Sequence, residues 1–425
     1  MPCSLLRRAP RVTHVCAAGR HILDALLPHS TAHGGPLVVR QVSYVEGRGN
    51  ILVELPGSDE AAGAVSFVGM HLDVVPANAD DWAFPAFQLT QEGDELRGRG
   101  VTDCLGHCAL VAQLMVALAK AKPALRRSVF AVFIANEEHS STLGIGVDEL
   151  VARRELERLK AGPLFWVDVA NTVPCIGTGG VAAWTLRARG KLFHSGLPHL
   201  AINAIELANA ACAELQRRFY ARTPPHEQEK VYGFATSSSM KPTQVTGQFG
   251  SVNQIAGEAV IHGDVRITPF YSVQDCMRAI DADVADINAN VDKLPTVGPD
   301  SKFVLEAEGL RGHLELIWGE GMSRGVACDL SSPGYAAMRD AFVAVTGSCK
   351  PMAITGTLPC IADLKDAGFD VQTLGFGLMR TYHALNECAL LSDFAAGFRV
   401  LAKIIDNMDA QPQPEAQPNT KRAKH

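Results

Sequence analysis

The sequence lacks paired cysteines, long apolar runs and an excess of basic charge. Its eleven cysteines among 425 residues are odd in number and include no Cys-x-x-Cys pair. Neither a disulfide framework nor a thiolate zinc ribbon is therefore predicted. This usage fits a reducing compartment, and we expect the cytoplasm. Residues 1–23 hold four Arg and no acid, which makes an organellar leader the weaker alternative.

Charge and hydropathy exclude two classes of partner. Lys plus Arg number 39 and Asp plus Glu 45, giving a formal charge of −6, and no basic block suggests binding to nucleic acid or an anionic membrane. The longest apolar stretches, such as residues 109–119, are shorter than the roughly 18–20 residues of a membrane span. We therefore expect no nucleic-acid partner and no membrane partner.

The remaining composition describes a folded chain of more than one unit. Apolar residues make up 47% and charged residues 20%, which supports a large core, and the length suggests two or three domain-sized units. In the first half, predicted strands alternate with predicted helices, which is typical of an α/β fold. The strands are predicted at 64–69, 128–135 and 164–169, and the helices at 108–120 and 147–160.

The pattern changes after residue 182 and returns near residue 326. Between these positions, strands and two long helices predict an inserted α+β domain, residues 183–325. We therefore predict a discontinuous catalytic α/β domain, residues 1–182 and 326–410, with a mixed central sheet flanked by helices. Residues 411–425, with Gln-Pro-Gln-Pro and Lys-Arg-Ala-Lys-His, are predicted to be a disordered tail.

Acidic and imidazole residues follow the predicted strand ends or lie in glycine-rich turns, where open α/β sheets place ligands. His71 and Asp73 lie two apart on an extended segment and share a face, so one can bind a cation while the other accepts the histidine's second N–H. Adjacent Glu137 and Glu138 point differently, so one can ligate while the other handles a proton. The full set is His71, Asp73, Asp103, Glu137, Glu138, Asp168 and His383.

This set suits two zinc-class ions. One ion would take His71, Asp168 and a bridging Asp103; the other would take Asp103, Glu138 and His383, with a position left for water. Zinc or cobalt accepts imidazole nitrogen with carboxylate oxygen, whereas magnesium prefers oxygen throughout. Each signal alone also fits a structural histidine or a solvated acidic pair, but the assembled series favours a metal site.

Several motifs, in this order, resemble a known family. They are Gly-x-His-x-Asp-Val-Val-Pro at 69–76, Trp-x-x-Pro-x-Phe at 82–87, Gly-Arg-Gly-x-x-Asp at 98–103, Glu-Glu at 137–138, Gly-x-x-x-His-Ser at 190–195 and Tyr-His-x-x-x-Glu at 382–387. Over roughly residues 35–406 the chain resembles the two-zinc aminoacylase and acetylornithine deacetylase family, which includes succinyl-diaminopimelate desuccinylases and glutamate-type carboxypeptidases. Stretches 133–138, 162–166, 231–236 and 263–271 look like its plant-type acetylornithine deacetylase branch.

The resemblance implies a role for each matching residue. Glu137 would be the general base, Asp73 would orient a ligand histidine, and His71, Asp103, Glu138, Asp168 and His383 would bind the metals. The inserted domain would be a lid that also forms a homodimer, with His194 reaching the partner's site to stabilise the oxyanion. Asn253 and Arg266 would grip the substrate carboxylate, a task that suits the guanidinium group.

The implied reaction is zinc- or cobalt-dependent hydrolysis of N2-acetyl-L-ornithine to ornithine and acetate, a step of arginine biosynthesis. An aminoacylase, dipeptidase or glutamate-type carboxypeptidase is the alternative with the same chemistry and another small N-acyl amino acid or peptide substrate. The chain departs from many bacterial relatives at Cys104-Leu105, where Met-Lys is common, at Asp168, where Glu is common, and at Ala256, where Pro is common.

Two further classes remain as alternatives. A catalytically silent metal-binding scaffold would be indicated by a substitution at a key position, and none is substituted. A cysteine hydrolase would use Cys360 or Cys388 with His383, but from the sequence neither cysteine sits at an obvious strand-to-helix elbow.

Overall fold

The computed structural model describes residues 15–139, 142–247 and 250–411, which form two compact units. The first unit takes in the chain up to Ile176, Cys328–Pro351 and the chain from Cys360 onward; the second takes in Gly177–Ala327 and Met352–Pro359. The expected disordered tail lies outside the described residues except for Gln411, as do residues 1–14 of the alternative leader.

The first unit is built on a mixed sheet. Its strands, in spatial order, are Val38–Val45, Arg48–Leu55, Ser128–Ile134, Ala64–His71, Pro163–Val167, Asp370–Gly375 and Val173–Thr178. The four strands from Ser128–Ile134 to Asp370–Gly375 are parallel, and their outer neighbours are antiparallel. A smaller sheet contains Cys388–Leu390, Glu95–Arg97 and Thr90–Glu92. The predicted mixed α/β fold is confirmed.

The central strands are mostly apolar because both faces of the sheet are covered. Every residue of Ala64–His71, Ser128–Ile134 and Pro163–Val167 is buried. Alternate residues such as Phe165 and Val167 join one large core with four helices. The helices of this unit are Ala17–Leu26, Leu105–Ala121, Val147–Ala152, Pro333–Thr346, Ile361–Asp366 and Leu391–Asp409.

The second unit is an antiparallel sheet with helices on one face. Its main strands, in spatial order, are Ser239–Thr246, Glu258–Ile267, Gly180–Arg189 and His313–Ser323. Short strands are Phe193–His194, Gln254–Ile255, Val304–Leu305, Leu310–Arg311, Val326–Ala327 and Met352–Ile354; the helices are Ala204–Arg222, Glu227–Tyr232 and Val273–Ala289. Alternation along Gly180–Arg189 buries one face against Ala204–Arg222 and Val273–Ala289.

Two sequence predictions need correction. Residues 147–160 form no single helix, because the helix Val147–Ala152 ends at Ala152. Two residues later Arg154 has a left-handed φ of +60°, and the Glu155 N–H donates back to Leu150 O. Residues 326–410 are predicted to be wholly catalytic, yet Met352–Pro359 groups with the second unit, where Gly179 N–H donates to Gly356 O. None of the described helices is long and apolar enough to cross a membrane.

Gly69 is required where the strand Ala64–His71 approaches Trp166. Its φ is +95°, pairing shifts register between Val68 and Met70, and an added Cβ would lie 2.5 Å from the indole ring. The glycine therefore lets the backbone bulge directly before His71.

We expect Gly69→Ala to lower the free energy of unfolding by about 1–3 kcal/mol more than Gly93→Ala does. This difference is the usual cost of overpacking a core. Gly93 is the matched control because its φ is +60° and an added Cβ would contact nothing within 4 Å. Thermal and urea unfolding of both variants measures the difference. Equal destabilisation would contradict the packing role given to Gly69.

Candidate metal and active site

The parallel strands bring the candidate ligands to one edge of the sheet. His71 ends its strand, Glu137 and Glu138 follow Ser128–Ile134, and Asp168 directly follows Pro163–Val167. Because these strands are parallel neighbours, their carboxyl ends meet at the same edge. His383 reaches this edge from the turn beyond Asp370–Gly375, with a left-handed φ of +52°.

The side chains contact one another through Asp103. Its Oδ1 lies 3.0 Å from His71 Nε2, and its Oδ2 lies 3.0 Å from His383 Nε2. Asp168 Oδ1 is 3.6 Å from His71 Nε2, and Glu138 Oε2 is 3.2 Å from His383 Nε2. The two groups correspond to the two predicted ligand sets, which share Asp103, while their role as ligands stays a prediction.

The donors fit zinc-class ions. One candidate ligand atom from each of His71, Asp103 and Glu138 lies within 4.8 Å of the others, and His71, Cys104 and Asp168 form a second such group. Asp168 Oδ1 and Glu138 Oε1 are buried without a hydrogen-bond partner. Buried oxygens without donors, beside imidazole nitrogens, are what a borderline dication would satisfy.

Electrostatics couple the two imidazoles of this cluster to its carboxylates. Burial disfavours the imidazolium of His71, but the charge of Asp168 and the hydrogen bond with Asp103 raise its pKa well above the usual value. Hydrogen bonds with Asp103 and Glu138 raise the pKa of His383 to about 10. Burial disfavours ionised Asp103, yet hydrogen bonds with both histidines lower its pKa. The imidazoles and the carboxylates thus favour one another's charged forms.

Asp73 and Glu137 lie beside the cluster. His71 Nδ1 is 2.8 Å from the backbone oxygen of Asp73 and 3.5 Å from its carboxylate, so the backbone makes the closer contact. The Asp73 carboxylate instead accepts the backbone N–H of Glu137 at 3.1 Å. Burial, and then the charges of Asp168 and Asp103, raise the pKa of Glu137 well above its usual value, although His71 lowers it.

A polar network that has no clear sequence signal shapes the turn carrying Glu137 and Glu138. Buried Asn136 donates to His139 O and Thr142 O, which closes the turn. Arg48 donates to Ala135 O and to Asn136 Oδ1, each at 2.8 Å. Sequence reasoning missed these residues because Arg48 comes from a strand nearly ninety positions earlier.

Cys104 and Tyr382 were also assigned no role from the sequence. Cys104 is fully buried and directly follows Asp103, a position that could have marked it. The buried hydroxyl of Tyr382 has no hydrogen-bond partner, and burial, with the nearby charges of Asp168 and Asp103, raises its pKa well above the usual value. Both side chains therefore contribute to the environment of the cluster.

The remaining predicted site residues belong to the second unit. Exposed His194 lies on the strand Phe193–His194, and its Nδ1 accepts the Gly196 N–H at 3.0 Å. Asn253 is adjacent in space, because its backbone oxygen accepts the Ser195 N–H at 2.9 Å. Arg266 pairs with Asp264 at 2.8 Å, so a substrate carboxylate would compete with this contact.

The position of Cys360 supports the cysteine-hydrolase alternative, but the pKa of its thiol opposes it. Cys360 has a φ of +70° and directly precedes the helix Ile361–Asp366, so it does lie at a sharp turn into a helix. Burial, however, raises the pKa of its thiol well above the usual value, and the charge of Glu137 adds to this effect. A thiol held protonated is a poor nucleophile.

Comparisons with known proteins agree with the fold and the motifs. Residues 67–407 match the model of peptidase family M20/M25/M40. An acetylornithine deacetylase of Arabidopsis thaliana is 56% identical over 92% of this chain and 88% of its own length, and one of Dictyostelium discoideum is 46% identical over 92% and 90%.

Solved structures show the same fold at lower identity. Human carnosine dipeptidase 1 superposes with a TM-score of 0.66 at 18% identity, covering 92% of this chain and 90% of its own. A dinuclear metal-binding peptidase of the M20 family from Bacillus subtilis gives 0.58 at 12% identity, covering 92% and 93%. The chain belongs to peptidase family M20/M25/M40. It is a metal-dependent hydrolase.

We expect the affinity for Zn²⁺ to keep rising with pH above pH 7. An ordinary histidine is already neutral there, but the raised pKa values of His71 and His383 mean that a metal must displace protons. Competition with a chromophoric chelator between about pH 6 and 8.5 measures the slope. His383→Gln should give a shallower slope, and an affinity that levels off near pH 7 would contradict the argument.

Proposed function

We propose that this enzyme hydrolyses the amide of N2-acetyl-L-ornithine to L-ornithine and acetate. The observation that carries the reaction type is the buried Glu137 beside a cluster of three carboxylates and two imidazoles. The substrate is supported by similarity to the two acetylornithine deacetylases, which extends over nearly the whole chain.

Two metal ions would be held by the cluster. His71 and Asp168 would hold one, His383 and Glu138 the other, and Asp103 would bridge them. Zinc is our first choice and cobalt the second, because the donors combine nitrogen with carboxylate oxygen. When bound, the pair would supply Lewis-acid activation of water and of the acyl carbonyl.

Glu137 is the proposed general base. Its carboxylate takes a proton from the attacking water, and the resulting carboxylic acid returns that proton to the leaving amine as the tetrahedral intermediate breaks down. The raised pKa supports this role because the group then exchanges protons nearer neutrality than an ordinary carboxyl does. The Asp73 carboxylate holds the backbone N–H of Glu137, which fixes the base in the turn.

The second unit would supply substrate contacts. His194 would stabilise the oxyanion, and Asn253 and Arg266 would bind the substrate carboxylate. The proximity of the His194 and Asn253 segments supports a shared function. Arg266 would exchange its contact with Asp264 for the substrate.

A homodimer through the second unit is part of the proposal. The strand Ser239–Thr246 lies at the edge of its described sheet and is mostly exposed, including Val245. An exposed edge offers unpaired backbone groups to another chain. We place the enzyme in the cytoplasm because its eleven cysteines are odd in number and include no Cys-x-x-Cys pair, which suits a reducing compartment.

The decisive experiment is a panel of acetate- and amine-release assays on purified zinc-loaded protein. Acetylornithine should be cleaved with a higher kcat/KM than N-acetylmethionine, N-acetylglutamate or a dipeptide. Glu137→Gln should lose kcat by about 10²- to 10⁴-fold, as expected for loss of a general base, while still binding Zn²⁺. Preference for another substrate would reassign the specificity, and a Glu137→Gln variant with normal turnover would refute the base.

We expect mixed dimers to show whether His194 acts across the subunit interface. His194→Ala and Glu137→Gln homodimers should each be nearly inactive, because each lacks one group in both sites. Coexpressed with two affinity tags, the heterodimer should regain activity, since one site receives an intact base and an intact histidine. Absence of recovery would place His194 in the site of its own subunit.

A further inference from the structure

We propose that Glu387 is a positioning residue that joins the loop carrying Asp103 to the loop carrying His383. The inference rests on the metal site proposed above and assigns a task to a residue that is not among the predicted metal ligands. Glu387 is 0% exposed, follows His383 by four residues and lies in the turn before the strand Cys388–Leu390. A carboxylate at such depth requires several donors.

The donors come from the segment that ends at Asp103. Glu387 Oε1 accepts the backbone N–H of Thr102 at 2.8 Å and of Asp103 at 3.0 Å. Oε2 accepts the backbone N–H of Gly100 at 3.0 Å and the Arg99 guanidinium at 2.7 Å. Both carboxylate oxygens are therefore used, and the Asp103 peptide itself is held.

Other bonds tie the same two loops together around this carboxylate. Gly98 N–H donates to the backbone oxygen of Glu387 at 3.1 Å, and Arg99 donates to Ala384 O at 3.2 Å. Thr102 Oγ1 donates to Cys388 O at 2.9 Å. The Arg99 side chain is buried, with its guanidinium carbon 5.0 Å from the centre of the Trp82 ring. These contacts thus join the two loops to each other.

This arrangement explains how one aspartate can face two histidines. Asp103 directs Oδ1 to His71 and Oδ2 to His383, which requires a fixed orientation of its backbone and a fixed separation of the two loops. Glu387 supplies both. Its charge is matched by Arg99, so it adds no net negative charge beside the cluster.

The side chain must be a glutamate for geometric reasons. All four groups that point at it are donors, so the amide of a glutamine would direct its own NH₂ at donors on one side. We expect an aspartate, which is one methylene shorter, to keep fewer of these four bonds.

The test compares Glu387→Gln with the wild type and with Glu229→Gln. Glu229 is a matched control because it is a buried glutamate in the second unit, bonded by the hydroxyls of Ser237 and Thr268. Zn²⁺ affinity, measured by chelator competition, should fall on the order of 10- to 100-fold in Glu387→Gln, the usual effect of losing a residue that supports metal ligands. Glu229→Gln should lower the melting temperature while leaving Zn²⁺ affinity unchanged.

Turnover provides the second readout. In Glu387→Gln at saturating Zn²⁺, kcat should fall with little change in KM, since the substrate contacts proposed for the second unit are intact. If that variant fails to fold, Glu387→Asp replaces it, and we expect a smaller loss of Zn²⁺ affinity in the same direction. Wild-type Zn²⁺ affinity in a correctly folded Glu387 variant would overturn the positioning role. Failure of the wild type itself to bind Zn²⁺ would instead overturn the proposed function.

Discussion

Like charges held together at the end of a parallel sheet are the constraint on which this protein depends. The strand Ala64–His71 lies between Ser128–Ile134 and Pro163–Val167, so the acidic residues after these strands converge whatever their mutual repulsion. Desolvation makes that repulsion stronger than it would be in water. Nearby positive charge relieves this repulsion, and the pKa values of both imidazoles that contact Asp103 are accordingly raised.

The site combines ligands that the sheet positions with ligands that loops position. Strand ends place His71 and Asp168 directly, and the regular pairing of neighbouring strands makes these positions stiff. Asp103 and His383 have no such support, because each lies in a turn, outside the helices and strands. Buried hydrogen bonds hold these two residues in place instead. Glu387 holds the loops of Asp103 and His383, as Asn136 holds the turn that carries Glu137.

The spacing of apolar residues in the sequence predicted the central strands and the site residues that directly follow them. Buried apolar runs mark the central strands, and the polar residue after each run marks the site, as with Asp168. The helix predicted at 147–160 was too long. Buried Leu156 and Leu159 continue the apolar spacing of a helix, but the left-handed φ of Arg154 ends the helical backbone before them. Arg48 could not be assigned from sequence, since its partners lie far along the chain and no local pattern records tertiary hydrogen bonds.

The position of the strand Asp370–Gly375 has a consequence for biosynthesis. It lies between Pro163–Val167 and Val173–Thr178, two strands translated about two hundred residues earlier. A nascent chain that has just completed its first half therefore lacks the strand between Pro163–Val167 and Val173–Thr178, and the backbone groups that face this gap have no strand partner. Such non-local pairing slows folding and leaves an edge available to other chains. In ribosome-bound intermediates of this enzyme, that gap should accordingly stay unfilled until the strand Asp370–Gly375 emerges from the exit tunnel.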